Sequence, residues 1–140
     1  MAENRLQHCH RINRRQIEIA RVEEMPLQMV EKEIEGVTVL KLWGNIGLGE
    51  DGRRLREKMN EILAAEKKRV VLDLGDVRYI DSAGLGTLVA VYTSAANRGA
   101  TVKLASLTKM IRTQLQITKL VTVFEVYETA EAAVKSFPDQ

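Results

Sequence analysis

The segment Arg69-Val70-Val71-Leu72-Asp73-Leu74 constrains the fold more than any other part of the chain. Its apolar residues run almost without alternation. A strand of this kind is buried on both faces, as in the middle of a parallel sheet. Helical spacing flanks it on both sides. Upstream, Leu55, Met59, Ile62 and Leu63 fall at i, i+4, i+7 and i+8; downstream, Leu85, Leu88, Val89, Tyr92 and Ala96 share one face. A buried strand between two amphipathic helices implies βαβ units, whose parallel crossovers are right-handed.

The remaining segments extend this pattern. Leu27 to Ile34 and Val37 to Trp43 read as strands, separated by Glu35-Gly36, the two-residue chemistry of a hairpin. Gly44 to Gly52 reads as a glycine-rich loop, and Gly75 to Arg78 as a polar one. Asn97-Arg98-Gly99 closes the second helix, with Gly99 suited to a left-handed position just past its end. Thr101 to Ala105 is another strand, and Leu107, Met110, Ile111 and Leu115 mark a third helix. Val121 to Val126 is the expected last strand. Ala130, Ala133, Val134 and Phe137 mark a last helix, stopped by Pro138. The order is β-β-α-β-α-β-α-β-α. This predicts an α/β fold: one domain over residues 26–140, with a mixed sheet that opens on a hairpin and carries about four helices.

Residues 1–25 differ in character. They hold five arginines, four glutamates and both histidines, with weak apolar periodicity, and read as a flexible basic extension. Met25 offers a second translation start at its end.

Composition excludes several functions. The formal charge of +2 lacks the strong basic bias of a dedicated nucleic-acid binder. The longest apolar run, Leu88-Val89-Ala90-Val91-Tyr92, is far short of the roughly 18 residues of a membrane span. The polar N-terminus shows no secretory leader, and Cys9 is the single cysteine, so no intramolecular disulfide forms. These features point to a reducing, cytoplasmic setting.

Three motifs are candidates for chemistry. His8-Cys9-His10 contains metal-binding side chains, but adjacent residues point apart and no second cluster completes a tetrahedral site, so no metal is expected. With no histidine after residue 10, a Ser-His-Asp or Cys-His arrangement cannot be assembled in the domain. Gly47-Leu48-Gly49-Glu50-Asp51-Gly52 matches G-x-G-x-x-G, with Asp73 at the distance of a ribose ligand. Against a dinucleotide site, Glu50 and Asp51 would set carboxylates beside a pyrophosphate. The preceding strand also reads as half of a hairpin. The third motif is Tyr79-Ile80-Asp81-Ser82-Ala83-Gly84-Leu85-Gly86. Asp81 and Ser82 are both strong helix N-caps. A Ser hydroxyl here would be exposed at the end of the sheet, where a phosphoryl group adds about −1.5 to −2 charges. The residues alone fit a cap and a switch equally well.

The run Val70–Leu74 followed by Asp81-Ser82-Ala83-Gly84-Leu85-Gly86 resembles the STAS domain family, in particular the bacterial anti-sigma factor antagonists. The resemblance extends from about Leu27 to Phe137. It includes Lys103-Leu104, Leu115-Gln116-Ile117-Thr118-Lys119-Leu120 and Phe124-Glu125-Val126-Tyr127. It implies a non-enzymatic regulator that acts as a monomer, with a weak dimer as the alternative, and needs no cofactor of its own. Ser82 would be the residue phosphorylated by an anti-sigma factor that is also a serine kinase. The unphosphorylated form would bind that partner and release a sigma factor, and a serine phosphatase would restore binding. The contact surface implied is Asp81, Ala83, Gly84, Leu85 and Gly86, with Asn45 as a surface contact from the neighbouring loop. Two departures stand out. Ala83 replaces a second hydroxyl residue found in many members, which narrows phosphorylation to Ser82. Gly44-Asn45-Ile46-Gly47 lacks the aspartate that many members carry at its last position. A scaffold role within the same fold, and a nucleotide-binding role for the Gly47–Gly52 loop, are the alternatives.

Overall fold

The computed structural model describes residues 26–47 and 49–138. The expectations for residues 1–25, including His8-Cys9-His10, Met25 and the basic extension, lie outside the described residues, as does Leu48.

Five strands form one sheet in the order β1-β2-β3-β4-β5: β1 Gln28–Ile34, β2 Val37–Ile46, β3 Arg69–Ile80, β4 Thr101–Ala105 and β5 Val126–Tyr127. β1 pairs antiparallel with β2, and every later pair is parallel. Among the described residues the helices are α1 Glu50–Ala64, α2 Ser82–Asn97, α3 Lys109–Ile117 and α4 Ala130–Lys135. The expected α/β architecture is therefore present. The hairpin closes as expected: Glu35 and Gly36 both take positive φ, 51° and 79°, the geometry that matches strand twist in a two-residue turn. Gly99, at φ 72°, ends α2 in the left-handed position expected of it.

The period-2 alternation of β2, β3 and β4 divides the core into two layers. Leu40, Leu42, Val70, Leu72, Leu74, Val102 and Leu104 face α1, α2 and α3. Val37, Val39, Val71 and Ala105 face Ala133, Val134 and Phe137 at the C-terminal end of the chain. β3 thus buries both faces, as its unalternating sequence requires.

Three segments depart from the sequence-based boundaries. β2 does not stop at Trp43 but runs on through Gly44, Asn45 and Ile46. β3 continues through the expected polar loop to Ile80. Each extension supplies the other's ladder partner: Trp43 opposes Asp76, Gly44 opposes Val77, Asn45 opposes Tyr79 and Ile46 opposes Ile80, with register shifts between them. Such irregularities keep a strand paired where its side-chain pattern breaks. Gly44 permits this course, since at φ 95° a Cβ would fall 2.4 Å from the Pro26 carbonyl oxygen. The third departure is the expected strand Val121–Val126. Leu120–Thr122 is a 3-10 turn entered through left-handed Lys119, and only Val126 and Tyr127 pair, with Leu104 and Ala105. The β-branched residues Val121, Thr122 and Val123 favour strand by propensity. Phe124 instead packs edge-to-face on Tyr92 of α2 at 5.3 Å, which draws the segment towards the helical layer.

Candidate partner-binding site

The parallel strands β2 and β3 end together at Ile46 and Ile80, and α2 starts immediately beyond. The Asp81 amide donates to the Ile46 carbonyl at 3.4 Å, carrying the ladder into the turn. Asp81 is the N-cap: its Oδ1 accepts from the Gly84 amide at 2.8 Å, and its carbonyl accepts from the Leu85 amide at 2.9 Å. Of the two cap candidates in the sequence, the fold thus uses Asp81 and leaves Ser82 as the first helical residue. Ser82 is exposed, and among the described residues its hydroxyl has no hydrogen-bond partner.

Glycine makes this arrangement close. A Cβ on Gly84 would lie 2.1 Å from the Ile46 carbonyl oxygen and 2.7 Å from Ile80 Cγ1. The backbone of α2 therefore rests directly on the ends of both strands. α1 starts beside it: a Cβ on Gly52 would meet Thr87 Oγ1 at 2.8 Å. Gly86 is different. A Cβ there would have no neighbour within 4 Å, and the residue is exposed.

The residues expected to form one contact surface divide by exposure. Ser82 and Gly86 are exposed, and Asp81 and Ala83 half-buried. Gly84 and Leu85 are buried and hold α2 in place instead. Asn45, expected as a surface contact, is 4% exposed: because β2 continues as a strand, Asn45 lies within the sheet opposite Tyr79 rather than in a loop. Sequence reasoning misses Tyr79 as a site residue. It is 47% exposed at the end of β3, two residues before the cap. A large aromatic side chain so exposed beside polar residues suits a protein contact. The signal in the sequence is its place between two residues, Val77 and Ile80, that pack inward.

The glycine-rich loop offers little for a nucleotide. Asp51 Oδ1 accepts from the Leu27 amide at 3.2 Å, Glu50 pairs with Arg53, and Gly52 is packed beneath Thr87. The first turn of α1 is occupied by the chain's own carboxylates and contacts, which oppose an anion there.

The family model of the STAS domain matches residues 28–133. The chain belongs to the STAS domain family. Its relative BtrV of Bordetella bronchiseptica, whose name describes an anti-sigma factor antagonist, is 26% identical over 111 residues, covering 79% of this chain and 95% of BtrV. Among solved structures, TM1081 of Thermotoga maritima, named in the same way, superimposes with a TM-score of 0.67 at 26% identity, over 76% of this chain and 92% of its own. SpoIIAA of Bacillus, solved in its phosphorylated form, shares the fold with a TM-score of 0.58 at 17% identity, over 79% of this chain and 96% of its own. Among the described residues of this STAS protein, no helix is long and apolar enough to cross a membrane.

Proposed function

We propose that this STAS protein is an anti-sigma factor antagonist, switched at Ser82, that binds an anti-sigma factor with serine kinase activity. The observation that carries the reading is the division of labour between Asp81 and Ser82. Asp81 holds the helix start, so the exposed Ser82 hydroxyl is free for chemistry without loss of the cap. The partner's kinase site would transfer the γ-phosphoryl group of ATP to Ser82 Oγ. An O–P bond forms, the bond to the leaving ADP breaks, and the partner takes the hydroxyl proton. The ATP and its metal belong to the partner, and this chain is the substrate rather than an enzyme.

The product is compatible with the fold and hostile to the interface. The positive end of α2 favours added negative charge, so the domain keeps its structure. The same charge and bulk sit where the partner contacts Ala83, Gly86 and Tyr79, beside the Asp81 carboxylate, and break the contact by repulsion and desolvation. A serine phosphatase would reverse the modification, and the cycle would run in the cytoplasm.

The test is capture from the native host by wild-type protein, Ser82→Ala and Ser82→Glu, with bound proteins and phosphosites identified by mass spectrometry. The expected result is capture of one protein carrying a histidine-kinase-like ATPase domain by wild type and Ser82→Ala, but not by Ser82→Glu. Equal capture by a folded Ser82→Glu protein overturns the switch.

A second reading, a scaffold, draws on one observation. Ile117 is 73% exposed and Val123 39% exposed around the end of α3, the opposite end of the sheet from Ser82. A scaffold would self-associate through this patch, which light scattering of wild type and Ile117→Lys decides.

A further inference from the structure

α4 covers only part of the sheet face on which it packs. Its contacts are with Val37, Val39, Val71 and Ala105, and further along the same face of β2 Lys41 and Trp43 are only half-buried among the described residues. There the surface forms a groove of about 890 Å³, within the size range of small-molecule sites. Its accessible apolar lining is Val30 and Trp43, with Met110 at the wall, while Val77 is buried beneath it. Val30 is 42% exposed, and Trp43, the single tryptophan of the chain, is half-buried. Phosphorylation at Ser82 makes no use of this surface.

The charges around the groove are unevenly matched. Lys41 pairs with Asp76 at 3.3 Å, which answers the carboxylate. Lys32 and Arg78 are exposed, and among the described residues neither has an ion-pair or hydrogen-bonding partner. Thr108 and Met110 bring the N-terminal end of α3 to the wall, and the aligned peptide dipoles there add positive potential. An apolar floor with two free cations at its rim is complementary to an amphipathic anion.

We infer that this groove binds a small organic anion with an aromatic body, its acid group held by Arg78, its ring against Trp43, and Lys32 adding positive potential at the far rim. Two cations at the rim suit a single carboxylate or sulfonate rather than a polyphosphate, whose greater negative charge they would leave unmatched. The guanidinium of Arg78 is also the better partner for a planar acid group, which it can engage through two parallel N–H bonds. The inference stands independently of the Ser82 switch. Arg78 lies four residues before Ser82 on the same strand-turn-helix path, so a bound anion would sit beside the partner surface.

The tryptophan makes the site directly observable. The probe is 8-anilinonaphthalene-1-sulfonate, added to the full chain with energy transfer from Trp43 as the signal. The expected result is saturable binding with Kd on the order of 10–100 μM, the range a compact ligand of this size reaches. The double variant Lys32→Glu/Arg78→Glu should bind about tenfold more weakly, through loss of charge-assisted contacts, with an unchanged melting temperature. The neutral N-phenyl-1-naphthylamine and ATP should both compete poorly. Equal affinity for the neutral analogue, or undiminished binding by the double variant, overturns the inference. Absence of saturable transfer overturns it too, both where iodide quenches Trp43 and where Trp43 is shielded by another part of the chain or by a second copy.

Discussion

Gly84 lies so close to Ile46 that a Cβ at Gly84 would stand 2.1 Å from the Ile46 carbonyl oxygen. The helix that presents Ser82 is therefore seated on the end of β2 backbone to backbone. Its start cannot move without moving the strand. Gly84→Ala is expected to destabilise the domain by roughly 3 kcal/mol, the upper range for overpacking, because the obstructing atom is main chain and not a flexible side chain. Urea unfolding followed by Trp43 fluorescence measures it. Gly86→Ala, two residues on, should do the opposite and stabilise by about 0.5–1 kcal/mol, since it meets nothing and removes unfolded-state entropy. The pair separates packing from helix propensity within one turn.

Asp81 supplies the cap bond to the Gly84 amide. Asp81→Ala should cost about 1 kcal/mol, and Asp81→Asn much less, because asparagine caps nearly as well. If the two variants melt together, the cap is not the source of the effect.

Ser82 makes no bond that the fold depends on. Ser82→Ala should melt within about 1 °C of wild type, and Ser82→Glu at or a little above it, because a carboxylate in the first turn is favoured by the helix dipole. Calorimetry on the three proteins checks this before any binding comparison is interpreted.

The edge strand is fastened to α1 and its following turn by ion pairs. Glu31 lies 2.9 Å from Lys58 and also hydrogen-bonds Lys67. The Lys67 hydrogen bond, followed by that of Lys58, holds the Glu31 carboxyl below its ordinary value of 4.5. A carboxyl lowered on folding contributes stability that is present above the unfolded value and lost as pH falls through the folded one. Wild type should therefore be more stable than Glu31→Gln at pH 7, and the gap should close as the pH falls from 4.5 downward. Lys67 is raised by the same contact, so its contribution persists up to its ordinary 10.5 and is lost only as pH rises through the folded value above it. Melting temperatures of both proteins from about pH 3 to pH 7 test the acid limb.

Lys103 is 6% exposed in β4, yet its ammonium is fully engaged. It donates to Ser136 Oγ at 2.8 Å, lies 4.2 Å from the centre of the Phe137 ring and faces Glu125 at 3.6 Å. These contacts fasten the end of α4 to the sheet. Lys103→Ala should cost roughly 2–3 kcal/mol through the lost charged hydrogen bond and cation–π contact. Amide exchange should accelerate first in residues 130–137, as a local opening, before global stability limits it. Uniform acceleration throughout the domain would argue against a local fastening role.

The order of elements is legible in the chain, because periods of 3.6 and 2 and the buried run at Val70–Leu74 are local consequences of which faces must leave water. The hairpin turn at Glu35-Gly36 and the place of Asp81-Ser82 at a helix start are legible in the same way. How far the strands run depends instead on pairing across the sheet. Gly44–Ile46 and Gly75–Ile80 carry weak strand patterns, and they become strands because each is the other's hydrogen-bonding partner across the sheet. That pairing buries Asn45, which local patterning alone leaves at the surface. Conversely, Val121–Val123 carries a strong strand pattern and becomes a turn, because the contact of Phe124 with Tyr92 outweighs local propensity. The choice between Asp81 and Ser82 was also tertiary. Both side chains can cap, and the bond from the Asp81 amide to Ile46 fixes Asp81 as the last extended residue, which leaves the hydroxyl of Ser82 in solvent.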